Sequence, residues 1–308
     1  MNAGEWLSSA SGGRADLAVV GAPIARASLS PSRAWSTPPA FRQALTRFST
    51  FDGDHGIDIA ALRGVDLGDV EGDQGDDDAT AAHQRIAGAL ASARHRAEVI
   101  VVVGGDNSVT RPALCSLAGD ALGDGWGLLT LDAHHDVRDP AAHGGSRNGT
   151  PVRELVDAGL PGERIAQIGL HGFANAREHA EWAAAAGIHA RRAAEVRAGG
   201  IASVVDSALG ALDRAGARRL FVDVDLDVLD RAFAPACPAS MPGGLAPSHL
   251  QEAAFLLGRD PRVVAVDLVE VDADADVAGV TLRTMASVFL ALCAGVAERM
   301  RRARGESQ

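Results

Sequence analysis

An α/β fold in a single domain, with a mostly parallel sheet covered by helices on both faces, is what the sequence predicts. Three observations carry that expectation. Short runs of Val, Ile and Leu recur and end in Gly or Asp, as buried parallel strands do. Ala-rich segments with helical spacing separate them, which implies βαβ units. Nothing resembling a linker divides the 308 residues, so one domain is expected over 1–308, with flexible ends at 1–15 and 300–308.

In chain order the candidate strands are Leu17–Val20, Val99–Val103, Leu128–Leu131, Ile165–Leu170, Leu220–Val224 and Val263–Val266. The candidate helices are Ala81–Arg96, Ala174–Ala186, Ile201–Ala215 and Pro247–Leu257. The acidic stretch Asp69–Asp78 reads as a solvated loop leading into a helix. A formal net charge of -11 argues against nucleic-acid and anionic-membrane partners. No stretch approaches the ~18 apolar residues that a membrane span needs. The cysteines Cys115, Cys237 and Cys293 are odd in number and widely spaced, fitting neither a disulfide framework nor a zinc pattern, so a reducing cytoplasm is expected.

Functional groups of a parallel sheet gather beyond the carboxyl ends of its strands, and three such ends are unusual here. Asp132-Ala133-His134-His135-Asp136 follows an apolar run. In an extended chain Asp132, His134 and Asp136 share one face, and two carboxylates with an imidazole suit a divalent metal such as manganese. Residues 221–230 are an apolar strand decorated with acids at period two, where Asp223 lies deepest and Asp225 and Asp227 fall at the strand end. Buried carboxylates at that density repel one another, and a cation among them is the natural remedy. Gly104-Gly105-Asp106-Asn107-Ser108 closes the third run and opens a helix near Val109; alone it is a generic strand-to-helix turn.

Together these segments resemble the ureohydrolase superfamily, which includes arginases, agmatinases, guanidinobutyrases and formimidoylglutamases. Its GGDHS-type element is matched by Gly104–Ser108, its DAHxD element by Asp132–Asp136, and its DxDxxDPxxxPA element by Asp225–Ala236. Gly21-Ala22-Pro23, Asp66–Val70, Asn148–Pro151 and Val266–Val271 extend the likeness from about Leu17 to Thr284. The resemblance implies a three-layer α/β/α, arginase-like fold with about eight strands, and a homo-oligomer, trimer or hexamer. It also implies two Mn²⁺ ions bridged by Asp132 and Asp225, with Asp136 on one and His134 and Asp227 on the other. A bridging hydroxide is the implied nucleophile, Asp136 a proton acceptor, and Glu270 the partner of a cationic substrate nitrogen. The sequence departs from the pattern at Asn107, which stands in place of a histidine ligand and implies one weaker metal position. It departs again at Asn148, in place of a proton-shuttling histidine; His143 nearby reads as an ordinary loop residue.

The loop 137–153 sets Arg138, Arg147 and Arg153 beside the implied pocket. Arginine forks bind carboxylates, so an amidine or guanidine that also bears carboxylates is the expected substrate, with Arg138, Arg147, Asn148 and Glu270 as its contacts. Hydrolysis of N-formimidoyl-L-glutamate to L-glutamate and formamide is the leading expectation. An agmatinase or guanidino-acid hydrolase is the alternative among enzymes, and a non-catalytic member with an impaired metal site is the alternative of another class.

Overall fold

The structure, a computed structural model, describes residues 1–8 and 13–305. Strands occupy Ala15–Gly21 (β1), Phe51–Asp52 (β2), Ile57–Asp58 (β3), Gly64–Asp69 (β4), Ala97–Val103 (β5), Trp126–Leu131 (β6), Ile165–Leu170 (β7), His189–Arg192 (β8), Arg219–Asp225 (β9) and Val263–Val269 (β10). Helices occupy Ala3–Ser8 (α1), Thr37–Leu45 (α2), Thr80–Ala93 (α3), Thr110–Ala118 (α4), Pro151–Asp157 (α5), Arg177–Ala185 (α6), Ala193–Gly199 (α7), Ile201–Arg214 (α8), Pro247–Arg259 (α9) and Val280–Ala303 (α10). Apart from the small hairpin β2–β3, the strands form one 8-stranded sheet in the order β4-β1-β5-β10-β9-β6-β7-β8, paired in parallel throughout. The expected α/β architecture is therefore present, with its two layers of helices.

The apolar runs are continuous because both faces of the inner strands are covered. In β5, Val99, Val101 and Val103 join the core beneath α1, α2 and α7 to α10, while Ile100 and Val102 join the core beneath α3 to α6. Pairs of residues in register deliver the same height on neighbouring strands: Thr130, Asp223 and Asp267 lie side by side across β6, β9 and β10. Burial, and then the facing carboxyl, push Asp223 well above the usual carboxylate range, while burial lifts Asp267 to about 7.

Helices α9 and α10 cross at backbone contact. A Cβ added at Gly295 lies 2.2 Å from the Phe255 carbonyl oxygen, so no side chain fits there. The sequence reading named no helix over 280–303; α10 is the one described helix of membrane-spanning length and composition, with mean hydropathy 1.7 over its most apolar 18 residues and 61% of that stretch buried in the fold. It packs as a core helix on α9 and α2.

The expectation of a flexible amino-terminal end is corrected over 3–8. Ala3, Trp6 and Leu7 of α1 are buried, and Trp6 Nε1 donates to the Leu62 carbonyl at 3.0 Å. Burying an indole with its N–H satisfied anchors the chain start. Residues 300–303 likewise form the last turn of α10, while 9–12 and 306–308 lie outside the described residues.

His83 on α3 is buried, with Nε2 2.8 Å from Ser108 Oγ. Burial, then the Arg111 charge, lower its pKa from 6.5 to about 4. A depressed folded-state pKa contributes stability that is complete above 6.5 and is lost as pH falls towards 4. Between those pH values wild type is expected to lose on the order of 3 kcal/mol more than His83→Gln. Urea midpoints at the two ends of that window test it, and parallel losses in both proteins contradict it.

Candidate metal centre

Four neighbouring inner strands deliver the site. Asn107 follows β5, Glu270 follows β10, Asp225 ends β9 with Asp227 in the turn beyond, and Asp132 to Asp136 follow β6. Of the predicted metal residues, Asp132, His134 and Asp227 come together, but by a different geometry from the one expected. β6 stops at Leu131, so Asp132, His134 and Asp136 do not share a strand face; they sit in a loop. Asp136 turns that loop with φ 52, and Glu270 adopts φ 66. Left-handed backbone in non-glycine residues costs about 1–2 kcal/mol each, and such strain collects where function fixes a side chain.

Short local bonds set the carboxylates. The His134 N–H donates to Asp132 Oδ1 at 2.6 Å, and the Asp227 N–H to Asp225 Oδ1 at 2.8 Å. His134 Nδ1 lies 3.0 Å from Asp227 Oδ2 and 3.4 Å from Asp132 Oδ1. One ligand atom from each of Asp132, His134 and Asp227 falls within 4.8 Å of the others, a metal-sized cluster.

The electrostatics are those of a site short of positive charge. Burial, and then Asp227, raise Asp132 to about 6. Burial and the same acidic neighbours push Asp136 and Asp225 well above the carboxylate range. Against the burial that opposes its charge, Asp227 and Asp132 lift His134 to about 12. Asp132 Oδ2 is buried without a hydrogen-bond partner among the described residues. An orphaned carboxylate oxygen, a cluster of suitable donors and mutual repulsion all fit a divalent cation.

Asn107, expected as a doubtful ligand in a histidine's place, is hydrogen-bonded at both ends of its amide. Its Nδ2 donates to Asp136 Oδ2 at 2.7 Å, its Oδ1 accepts from Thr110 Oγ1 at 2.7 Å, and its N–H donates to Glu270 Oε1 at 2.7 Å. Asn148 also serves Glu270: Nδ2 donates to Oε1 at 2.9 Å while its Oδ1 accepts the Leu29 N–H at 3.0 Å. Burial and then the Asp106 charge push Glu270 up to about 8.

The structure separates the arginines. Arg147 is tied to carbonyls, Nε on His143 at 3.3 Å and Nη1 on Arg26 at 3.4 Å. Arg153 pairs with Asp157 and lies 4.6 Å over the Trp182 ring. Arg138 keeps a guanidinium with no acceptor among the described residues. His143 Nδ1 sits 2.9 Å from its own loop's Asp139 carbonyl, as an ordinary loop histidine does.

Sequence reasoning missed Gln167 and Asn175, which bond the metal loop from β7 and from the loop after it. Gln167 is a polar residue inside an otherwise apolar strand, and that is the signal it offered.

A parallel sheet with acids and a histidine gathered beyond its inner strands matches the Arginase family model over residues 15–295, and the chain belongs to the arginase family. Within it, a formimidoylglutamase from Halalkalibacterium halodurans is 36% identical over 292 residues, 94% of this chain and 90% of that protein. The crystal structure of formimidoylglutamase from Bacillus subtilis aligns with TM-score 0.89 and 28% identity, covering 96% of this chain and 92% of that one. A variant of Trypanosoma cruzi formiminoglutamase with Mn²⁺ shares the fold, with TM-score 0.88 and 23% identity over 97% of this chain and 99% of that one.

Proposed function

We propose that the chain is a manganese-dependent formimidoylglutamase, hydrolysing N-formimidoyl-L-glutamate to L-glutamate and formamide. The similarity over nearly the whole chain supports the reaction. Arg138 is the single structural observation that carries the acidic substrate: a half-buried cation without a partner among the described residues, two residues after Asp136 in the same loop. A decarboxylated cation such as agmatine is repelled by it, whereas a carboxylate gains a bidentate contact.

Asp132, His134, Asp136, Asp225 and Asp227 are the residues to hold the metal, one position being weaker for want of a histidine at Asn107. Bound there, manganese supplies an acidified water as nucleophile and a positive field for charge developing on the substrate. The chain supplies the rest. Glu270 directs a carboxylate oxygen at the amidinium, and its other oxygen is fixed by the Asn107 N–H and by Asn148. Asp136, steadied by Asn107 Nδ2, accepts a proton and returns it to the departing glutamate nitrogen. The homo-oligomer and the cytoplasmic setting expected from the sequence belong to the same reading.

Purified protein supplied with Mn²⁺ is expected to release formamide from N-formimidoyl-L-glutamate and little urea from agmatine, arginine or 4-guanidinobutyrate; the reverse preference overturns the reading. Arg138→Ala is expected to raise KM roughly ten- to a hundredfold with kcat within a few-fold. An unchanged KM removes the carboxylate argument.

A further inference from the structure

A hollow of about 630 Å³ lies between the β2–β3 hairpin and helices α9 and α10, in the size range of small-molecule sites. None of the residues that line it belongs to the metal centre. The hairpin turn shapes one wall. Asp52 Oδ1 accepts the Asp54 N–H at 3.0 Å and the His55 N–H at 3.3 Å, while Oδ2 lies 2.8 Å from His55 Nδ1. So held, the His55 ring lies flat on Phe255 of α9, with centroids 3.7 Å apart. On the helical side α9 and α10 are tied together: Gln251 Nε2 donates to Ser287 Oγ at 2.8 Å, and that hydroxyl donates to the Thr284 carbonyl at 2.7 Å. Gln251 Oε1 is left without a donor among the described residues.

The lining is selective in two respects. Aromatic side chains are scarce in the chain, yet three of its 8 phenylalanines, Phe48, Phe51 and Phe255, line this one hollow. Phe255 is already engaged, by His55 and by Arg259, whose guanidinium lies 5.7 Å over its ring. Phe51 is 57% exposed and Phe48 half-buried, so both keep surface open to a ligand. Asp52, Asp54 and Glu252 also line the hollow, whereas no Lys or Arg does. The carboxylates of Asp54 and Glu252 have neither a cation nor a donor among the described residues. Unpaired carboxylates beside aromatic rings, with no basic residue among them, suit an organic cation: the rings attract its charge and the carboxylates accept its N–H donors. The dicarboxylate substrate proposed above is repelled by such a lining, so the ligand is a different molecule.

We propose that this hollow is a second binding site, for a small organic ammonium ion with an apolar body. The ammonium sits between Asp54 and Glu252, and the body lies against Phe48 and Phe51. The inference goes beyond the hydrolase reading and shares no residue with it.

Phenethylammonium chloride is the probe, with 2-phenylethanol as its neutral analogue and 3-phenylpropanoate as an anionic one. In calorimetric titrations at low salt the ammonium is expected to bind at least about tenfold more tightly than the alcohol, and the anion most weakly. Asp54, Glu252 and Phe51 are all exposed, so their replacement spares the fold. Asp54→Asn combined with Glu252→Gln, and Phe51→Ala by itself, should each weaken the ammonium about five- to tenfold, with manganese binding within about twofold of wild type. Absence of saturable binding, equal affinity for alcohol and ammonium, or unchanged affinity in these variants overturns the site. Binding that Glu270→Gln abolishes places the ammonium at the metal centre and overturns it too. A particle mass in light scattering that falls on Phe51→Ala assigns the hollow to a contact between copies of this chain, with the same consequence. Binding is read directly, so a protein that releases no formamide yet shows these affinities refutes the hydrolase reading and leaves the site standing.

Discussion

Asp225→Asn is expected to lower manganese-dependent hydrolysis at least about a thousandfold while raising the melting temperature of the metal-free protein by a few degrees. The two effects have one cause. Asp225 is buried and pushed well above the carboxylate range by its burial and by Asp227 and Asp132. Without a cation that crowding opposes folding, and an amide of the same shape relieves it. The substitution preserves the local frame, because the Asn side-chain oxygen can still accept the Asp227 N–H that Asp225 Oδ1 now takes at 2.8 Å. What the amide lacks is the charge that holds a divalent ion. Thermal unfolding with and without Mn²⁺ separates the terms. A metal at a hundred times its Kd adds about 2.7 kcal/mol to the wild type, and that increment should vanish in the variant. A manganese-induced shift equal to wild type's contradicts the assignment of Asp225, whatever happens to activity.

The same residues show how far the sequence could be read. β5, β6, β9 and β10 are covered on both faces, so their apolar runs are continuous and the polar residues that end them stand out. β4 and β8 are the edge strands of the sheet; His189-Ala190-Arg191-Arg192 alternates in exposure and carries charge, as edges do, and so leaves no apolar run to read. Asp132, His134 and Asp136 were found through a period-two argument that the fold does not obey, because β6 ends at Leu131 and the loop turns at Asp136. Composition pointed to the candidate ligands; only the backbone shows how Asp132, His134 and Asp227 meet. Asn175 reaches the site through contacts between loops distant in sequence, and no local pattern announces it. Likewise Asn107 and Asn148 stood out only as departures from a histidine pattern. Their shared task, fixing one oxygen of Glu270, appears once both bonds are seen.

Glu270→Gln is expected to lower kcat/KM by about a thousandfold with manganese binding and fold retained. Both bonds from Asn107 and Asn148 end on Oε1, and Oε2 has no hydrogen bond among the described residues. Glutamine keeps an acceptor for the two donors and puts an NH₂ where the free oxygen stood, so a cationic amidine meets a donor in place of a negative charge. Stability should hold or rise at pH 7, since burial has pushed the Glu270 carboxyl up to about 8 and the neutral amide removes that penalty. Activity within tenfold of wild type sinks the assignment of Glu270 to the substrate. The backbone offers an independent check, because Glu270 sits at φ 66. Glu270→Gly and Glu270→Ala delete the same carboxylate, yet glycine adopts that conformation freely and alanine does not. Glycine should therefore be the more stable of the two by about 1 kcal/mol, with activity equally low in both. Equal stabilities would mean that the left-handed turn relaxes once the carboxylate is gone, and that the bonds to Oε1 are what impose it.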